Sequence, residues 1–318
     1  MREIIIKAND SNQRLDKFLS KKFKTMPKNL MYKYIRTKYI KLNKKRTSPE
    51  TILNEGDVLT LYINDEFFNE TKSYEFMKAS KDINIIYEDE NIILIDKKVG
   101  VICHQDKNYD SDTLNLRLLR YLFEKGEYNP EKENSFIPAL CNRIDRNTGG
   151  IVIGAKNSES LRIINQKIKN KEIRKFYLCI VIGKPKKIEA TLKDYLVKNE
   201  KTNKVTILKK ESDNSKEIIT KYKVLSTNKN LSLCEVELLT GRTHQIRAHM
   251  SSISHPLLGD DKYGNKVINE KYNLHRQALY SYKLYFDFKT DAKILNYLNK
   301  KEFSVKSVWF SENNNIKI

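Results

Sequence analysis

The segment Cys141–Lys156, CNRIDRNTGGIVIGAK, carries the residue types most suited to chemistry. Its polar part runs directly into an apolar strand, so Asp145 falls in a glycine-flanked loop where the backbone can approach a ligand closely. Arg143 and Arg146 stand on either side of this acid. A fixed carboxylate can attack an electrophilic carbon or accept a proton without a metal. Taken alone, however, the segment fits an Asx-type turn with solvated charges better than a catalytic loop.

Further segments downstream change that balance. Lys175-Phe176-Tyr177 lies on a predicted strand that ends at Gly183, Thr240–His249 reads TGRTHQIRAH, and His255–Gly264 reads HPLLGDDKYG. Together with NRIDRNTGG, and in this order, they resemble the motifs of the RluA-type pseudouridine synthases. The usual forms in that family are HRLDxxTSG, KxY, TGRxHQIRxH and GDxxYG.

The resemblance covers roughly residues 82–290. Outer landmarks of the family also have counterparts, at Lys97, Gly100, His104, Leu274-His275 and the apolar strand Leu279–Phe288. Two positions depart from the usual pattern: Asn142 stands where many relatives have His, and Gly149 stands where many have Ser. These departures do not carry the chemistry, but they can change how the loop is braced.

The resemblance implies conversion of uridine to pseudouridine in RNA, in which the N1–C1′ bond breaks, the base turns and C5 joins C1′. Asp145 matches the family's catalytic aspartate, which acts on the sugar while the sugar has oxocarbenium character. Whether this carboxylate adds to C1′ or assists loss of a C2′ proton stays open. No metal and no cofactor are expected, and neither GxGxxG nor GxxxxGK[ST] occurs in the chain.

The remaining site residues follow from their places in the motifs. Arg247 matches the arginine that keeps the catalytic carboxylate ionised and oriented, with a solvated helix face as the alternative. Tyr177 matches the tyrosine that stacks on the base and is placed to remove the C5 proton, unless it is only a core residue. Arg143 matches the arginine that fills the gap left by a flipped nucleotide, and a phosphate contact is its competing role. Arg146 and Arg242 are expected to bind phosphate or anchor loops.

The first 63 residues are expected to form a small α+β module. Apolar spacing predicts a strand over Arg2–Ile6, a helix from about Gln13 to Lys24, a second helix that begins at Pro27, and a closing hairpin with the strand Val58–Ile63. The landmarks RLDKFL, YIKLN and EGD resemble those of S4 RNA-binding domains. That resemblance implies RNA contacts by basic side chains of the module, namely Arg14, Lys33, Arg36, Lys38 and Lys41.

Charge points to the same partner. The chain has 60 Lys and Arg against 40 Asp and Glu, a formal net charge of +20, and such an excess attracts polyanions. A lysine-rich surface from AT-rich codon usage would explain the total alone equally well. The N-terminal 63 residues, however, hold 15 basic and 6 acidic residues, so +9 of the +20 lies in a fifth of the chain.

The expected organisation is an S4-like domain at 1–63, a linker at 64–81 and a catalytic domain at 82–318. Short β-rich segments dominate after residue 82, and they predict an α+β fold with a mixed, largely antiparallel sheet. The four cysteines form no CxxC pair, which favours reduced core thiols over a zinc site. No membrane span or signal peptide is predicted, so we expect a cytoplasmic protein. A monomer is the default expectation for a flexible two-domain RNA binder.

The leading hypothesis is therefore a pseudouridine synthase that flips and modifies uridines in structured RNA, foremost 23S ribosomal RNA. Two alternatives remain. One is an RNA-binding ribosome-assembly factor with an idle synthase pocket, although Asp145, Tyr177 and Arg247 are all intact. The other is a tRNA-directed synthase with the same chemistry, which the S4-like module makes less attractive.

Overall fold

The N-terminal module is built on a small antiparallel sheet. In the computed structural model, which describes residues 1–68, 74–105 and 112–311, its strands are β1 (Arg2–Ile5), β2 (Ile40–Leu42) and β3 (Val58–Leu61), in the order β1-β3-β2. Two helices complete it, α1 (Leu15–Lys22) and α2 (Lys28–Arg36). Both are a little shorter than the sequence predicts, because Phe23 closes α1 and Pro27 caps α2 instead of entering it.

Helical spacing explains the core of this module. Leu15, Phe18 and Leu19 are fully buried, as positions i, i+3 and i+4 of one helix face should be. Met31 and Ile35 bury the facing side of α2. The same core extends into the segment predicted as a linker, since Phe67 packs against it. The proposed domain boundaries themselves stay predictions.

A large mixed sheet forms the rest of the molecule. Over the described residues its strands follow the order β10-β9-β11-β12-β8-β13-β7-β5-β4, with β14 beside β13 and β6 beside β7. Their bounds are β4 (Asn84–Glu88), β5 (Ile92–Lys97), β6 (Ala139–Leu140), β7 (Gly149–Ala155), β8 (Ile173–Ile182), β9 (Glu189–Asn199), β10 (Lys204–Leu208), β11 (Lys216–Asn228), β12 (Leu231–Leu238), β13 (Leu279–Phe286) and β14 (Glu302–Ser304). Its helices are α3 (Leu114–Glu124), α4 (Ser158–Lys169), α5 (Gln245–Ser252) and α6 (Lys266–Lys271).

The pairing in this sheet is antiparallel except between β13 and β7, as far as the described residues show. The predicted fold class, α+β with a largely antiparallel sheet, is confirmed. The parallel contact matters for the site because it joins the first residues of β7 to the first residues of β13. Gly149 pairs with Tyr280, and Gly150 pairs with Ser281.

The hairpin of β9 and β10 was not predicted. Its strands alternate in burial, but Asp194 is buried among the inward positions of β9 while Tyr195 and Val197 lie on the opposite face, so polar and apolar residues do not alternate cleanly. A buried polar contact fixes the hairpin to α5. The ring of His249 is fully buried between Asp194 of β9, at 3.1 Å from Nε2, and Thr220 of β11, at 2.9 Å from Nδ1.

The N-terminal module is hydrogen-bonded directly to the part of the molecule that contains the large sheet. Asp10 is fully buried and accepts hydrogen bonds from the Ser135 hydroxyl at 2.7 Å, the Ser135 amide at 3.1 Å and the Asn134 side chain at 2.8 Å. Asn9 accepts another from the amide of Ser158 at the start of α4. The position of the module is thus set by buried hydrogen bonds as well as by the connecting chain.

Two further observations concern the chain as a whole. Within the described ranges, no helix is both long and apolar enough to cross a membrane. All four cysteines are free thiols, and Cys103, Cys179 and Cys234 are buried.

A buried ion pair between α4 and β8 should make the fold sensitive to acid. Lys167 and Glu172 have 2% and 4% exposed side chains and lie 2.8 Å apart. Burial alone would raise the pKa of the Glu172 carboxyl, but hydrogen bonds from Lys167, Asn170 and two backbone amides lower it to about 2. The stability it contributes is therefore present above its unfolded pKa and is lost as the pH falls from about 4.5 towards 2.

We expect Glu172→Gln to lower the free energy of unfolding by about 3–5 kcal/mol at neutral pH, because Lys167 is left as an unpaired buried charge. Urea denaturation measures this, and the gap to the wild-type protein should narrow below pH 4.5. Glu217→Gln is the control, since its pair with Lys193 is largely exposed and solvent screening leaves such a pair little effect on stability. Equal losses for the two variants would contradict the prediction.

Candidate active site

Three separate segments of the chain surround one cavity of about 290 Å³. They are the loop between β6 and β7, the β8 strand, and the turn that leads into α5. Of the residues that the sequence singles out, this cavity is lined by Arg143, Asp145, Tyr177, Arg242 and Arg247. Arg146 lines a second, adjoining cavity of about 450 Å³. Asp145 lines both cavities, so it lies where they meet.

The carboxylate of Asp145 is held by an arginine from α5. Its Oδ2 accepts a hydrogen bond from Nη1 of Arg247 at 3.3 Å. The Arg247 side chain is only 5% exposed, whereas that of Asp145 is 28% exposed. The arginine is therefore part of the wall, and the acid is accessible from the cavity.

Arg247 is in turn fixed by a buried carboxylate. Its Nε and Nη2 donate to the two oxygens of Asp260 at 2.7 and 2.8 Å, and Nη2 also donates to Asp261 at 3.1 Å. Burial alone would raise the pKa of Asp260, but the Arg247 guanidinium and the amides of Lys262 and Tyr263 hold that pKa below its usual range. The fork of the arginine is thus oriented before any substrate arrives.

The loop that carries Asp145 is braced from below by a buried lysine. Nζ of Lys97 donates to the carbonyls of Lys98 at 3.1 Å, Val101 at 2.7 Å and Arg146 at 3.1 Å. Because Lys97 is fully buried, burial lowers its pKa to about 8. The amide of Gly100 donates to the same Arg146 carbonyl at 2.9 Å. Lys97 and Gly100 therefore support the loop that carries Asp145 through its backbone.

The two departures from the family pattern have local explanations. Oδ1 of Asn142 accepts a hydrogen bond from the amide of Ile153 at 2.8 Å, which ties the start of the loop to β7. At Gly149 an added Cβ would lie 2.3 Å from the ring of Tyr280. A side chain such as serine does not fit at position 149 while Tyr280 occupies that space.

Tyr177 lies on β8 with a buried ring, 6% exposed. Burial raises the pKa of its hydroxyl to about 12, with a smaller opposing effect from a hydrogen bond with Ser281. The neutral phenol is therefore the form present at neutral pH. A flat aromatic ring in the wall of a half-enclosed cavity can pack against a planar base.

Sequence reasoning missed His244 as a neighbour of the acid. Its Nε2 lies 4.0 Å from Oδ2 of Asp145, and its Nδ1 is 3.0 Å from the hydroxyl of Tyr263. Burial lowers the pKa of the His244 imidazole. The backbone of this residue is left-handed, with φ of 54°, and the side chain of Gln245 braces the turn by accepting from the Thr240 hydroxyl and the Arg242 amide.

The predicted RNA contacts of the N-terminal module do not line either cavity. Lys33, Arg36 and Lys38 are exposed at the end of α2. Arg14 is exposed but pairs with Asp16 at 2.8 Å and with Glu50 at 3.4 Å, and Nζ of Lys41 lies 5.3 Å from the ring of Tyr62. The exposed basic group at the end of α2 therefore consists of Lys33, Arg36 and Lys38.

No group of three or more His, Cys, Asp or Glu side chains among the described residues is arranged to hold a metal ion. The side chains that line the cavity include one accessible carboxylate, the arginine that holds it and a buried phenol. Such a set can perform nucleophilic or acid–base catalysis on an uncharged, flat substrate group.

Comparison with known proteins places this chain in the class of RNA-modifying isomerases. The family model described as RNA pseudouridylate synthase matches residues 91–252. A protein of Mycoplasma capricolum named as an uncharacterized RNA pseudouridine synthase is 34% identical over 98% of this chain and 99% of its own length. The chain therefore belongs to the RNA pseudouridylate synthase family, and it is an enzyme that isomerises uridine in RNA to pseudouridine.

Named relatives and solved structures agree with this assignment. Ribosomal large subunit pseudouridine synthase C of Haemophilus influenzae is 28% identical over 96% of this chain and 93% of its own length. The protein of that name from Buchnera aphidicola is 31% identical over 88% of each chain. The human RNA pseudouridylate synthase domain containing proteins 1 and 4 superpose with TM-scores of 0.53 and 0.55, over 70% of this chain and 83% and 88% of theirs. At 23% and 21% identity, these two structures show a shared fold.

The structure predicts that Asp260 positions Arg247 for catalysis. Asp260→Asn keeps the shape but removes the buried counter-charge, so we expect a loss of about 3–5 kcal/mol in the free energy of unfolding. The single-turnover rate per folded molecule should fall as well, because the guanidinium is no longer held against Asp145. Asp261→Asn is the matched control, since Asp261 touches the same arginine but its side chain is 64% exposed. The idea is wrong if the two variants behave alike.

Proposed function

We propose that this synthase modifies uridines in large-subunit (23S) ribosomal RNA, with Asp145 as its catalytic carboxylate. The observation that carries the proposal is the contact of Asp145 with Arg247 at 3.3 Å, in a cavity that also holds the ring of Tyr177. The ribosomal substrate is supported by the relatives named as large-subunit synthases, which align with nearly the whole chain.

Asp145 acts on the sugar of the target nucleotide. The N1–C1′ bond breaks with its electron pair on the base, and the carboxylate either adds to C1′ or takes the C2′ proton. The base then turns and C5 bonds to C1′, while the carboxylate leaves C1′ in the first case or the proton returns to C2′ in the second. The C5 proton is then lost while N1 gains one, so reactant and product are isomers. Arg247 pairs with the carboxylate and directs it at the sugar.

A uridine inside an RNA helix must leave the stack to reach a cavity of this kind. Flipping costs a few kcal/mol, and the exposed side chain of Arg143 at the rim offsets part of that cost by filling the space the base leaves. Tyr177 packs on the flipped base. Arg146 and Arg242, both exposed beside the cavities, bind the flanking phosphates.

The N-terminal module supplies further affinity as an S4-like RNA-binding domain. Its small sheet, two helices and exposed basic end of α2 support this assignment, as does its share of the net charge. We assign RNA contacts in the module to Arg14, Lys33, Arg36, Lys38 and Lys41.

Asp145→Asn should abolish conversion and leave RNA binding nearly unchanged, because the amide keeps the shape but neither attacks carbon nor accepts a proton. Tritium release from RNA labelled at C5 of uridine measures conversion, and filter binding measures affinity. Asp261→Asn serves as the control for removing a negative charge nearby.

The same variant tests the substrate in cells. A strain that lacks the gene should lose pseudouridine at one or more 23S positions, and wild-type protein should restore it whereas Asp145→Asn should not. Retained tritium release by Asp145→Asn would refute the catalytic assignment, and loss of pseudouridine from tRNA alone would refute the ribosomal one.

The basic end of α2 should contribute affinity without chemistry. Replacing Lys33 and Arg36 by Ala should weaken RNA binding and make log Kd less dependent on log salt by about one unit for each phosphate contact removed. The rate at saturating RNA should stay the same. Lys301→Ala with Lys306→Ala is the matched control, since both lysines are exposed near the C-terminal end of the described chain. An equal change in both double variants would mean that only net charge matters.

A further inference from the structure

Lys175 is a charged side chain in the wall of the catalytic cavity for which the reaction above has no use. It stands two residues before Tyr177 on β8, so both side chains leave the same face of the strand, and both line the cavity. Its Nζ points towards the turn before α5, 3.5 Å from where a Cβ on Gly241 would lie. The ammonium group is thus placed between the strand of Tyr177 and the turn that leads to Arg247.

This ammonium has no acidic partner among the described residues. Its neighbour Arg174, on the opposite face of β8, pairs with Glu237 at 2.6 and 3.1 Å. Asp145 is paired with Arg247 instead. Lys175 is half-buried, and burial alone lowers the pKa of its ammonium, since no carboxylate opposes that effect. An unpaired, partly desolvated cation is costly to keep, and its location in a cavity indicates a ligand that brings negative charge.

The proposed reaction creates such a charge. Whichever bond Asp145 makes first, the base leaves C1′ with the N1 electron pair, so a uracil anion with its charge shared over N1, O2 and O4 stands in the cavity. Tyr177, whose hydroxyl is neutral at neutral pH, cannot balance a full negative charge. Arg247 already faces Asp145, Asp260 and Asp261.

We propose that the Lys175 ammonium binds the detached uracil anion and stabilises the transition state in which the N1–C1′ bond breaks. This inference rests on the proposed function, because it needs the base to leave from a sugar held by Asp145. When C5 bonds to C1′, the electron pair of the anion enters the new bond and the base becomes neutral, which weakens its hold on Lys175. The later loss of the C5 proton and gain of a proton at N1 leave the charge of the base unchanged.

Kinetics of Lys175→Met test the proposal, because methionine keeps an unbranched chain in the cavity and removes the charge. We expect the single-turnover rate at saturating RNA to fall about 100-fold, the size typical of losing one preorganised electrostatic group. Kd for RNA should change less than twofold, and the free energy of unfolding should not decrease. Lys175→Arg should retain part of the rate. Lys186→Met is the control, since it removes an exposed lysine just beyond the same strand.

A change of leaving group provides the decisive measurement. The anion of 5-fluorouracil is more stable than that of uracil, so RNA with 5-fluorouridine at the target needs less help from a cation. The rate deficit of Lys175→Met, measured as loss of the modified nucleoside in a single turnover, should therefore be smaller on this RNA than on uridine RNA. Equal deficits on both RNAs would overturn the proposal.

Two other outcomes are equally informative. A raised Kd with an unchanged saturated rate would overturn the proposal in favour of a phosphate contact by Lys175. Activity in Asp145→Asn, with or without a Lys175 effect, would refute the proposed function itself, so the failure of one idea is distinguishable from the failure of the other.

Discussion

The paired hydrogen bonds between Arg247 and Asp260 are the contact on which the arrangement of the site depends. They hold the guanidinium in a buried position, and they leave its Nη1 free to donate to Asp145. Two loops and a helix from distant parts of the sequence are thereby held at a single point. An isolated charge at this depth would be unstable, so the carboxylate at position 260 is a condition for placing the arginine at all.

The backbone fixes the other side of the same site. Where β7 runs parallel to β13, an added Cβ at Gly150 would lie 2.1 Å from the carbonyl oxygen of Ser281, so only glycine allows the strands to come this close. The catalytic loop therefore ends at a rigid junction, and Lys97 supports it from beneath. A loop anchored at both ends holds its carboxylate in one direction without relying on substrate to order it.

Much of this could be read from the sequence, and the limits have physical causes. Asp145, Tyr177 and Arg247 could be singled out because each stands in a short motif whose residues are adjacent in the sequence. The fold class could be predicted from the succession of short strands. Asp260 and Lys175 are present in the recognised motifs, but the sequence does not show what they contact. Those contacts depend on which distant segments meet in the tertiary structure. The β9–β10 hairpin escaped because Asp194 is buried while Tyr195 and Val197 stand on the opposite face of β9, which breaks the alternation that marks a strand.

The buried bonds from Asp10 to Ser135 and Asn134 carry a consequence for selectivity. A module joined to an enzyme only by a flexible linker can take many distances from the active site, so the protein can bind RNAs of many shapes. When the module is hydrogen-bonded to the rest of the protein, the distance between the basic end of α2 and the cavity of Asp145 is fixed. If the basic end of α2 binds RNA as proposed, an RNA substrate must present one feature to that end and its target uridine to the cavity at this fixed distance.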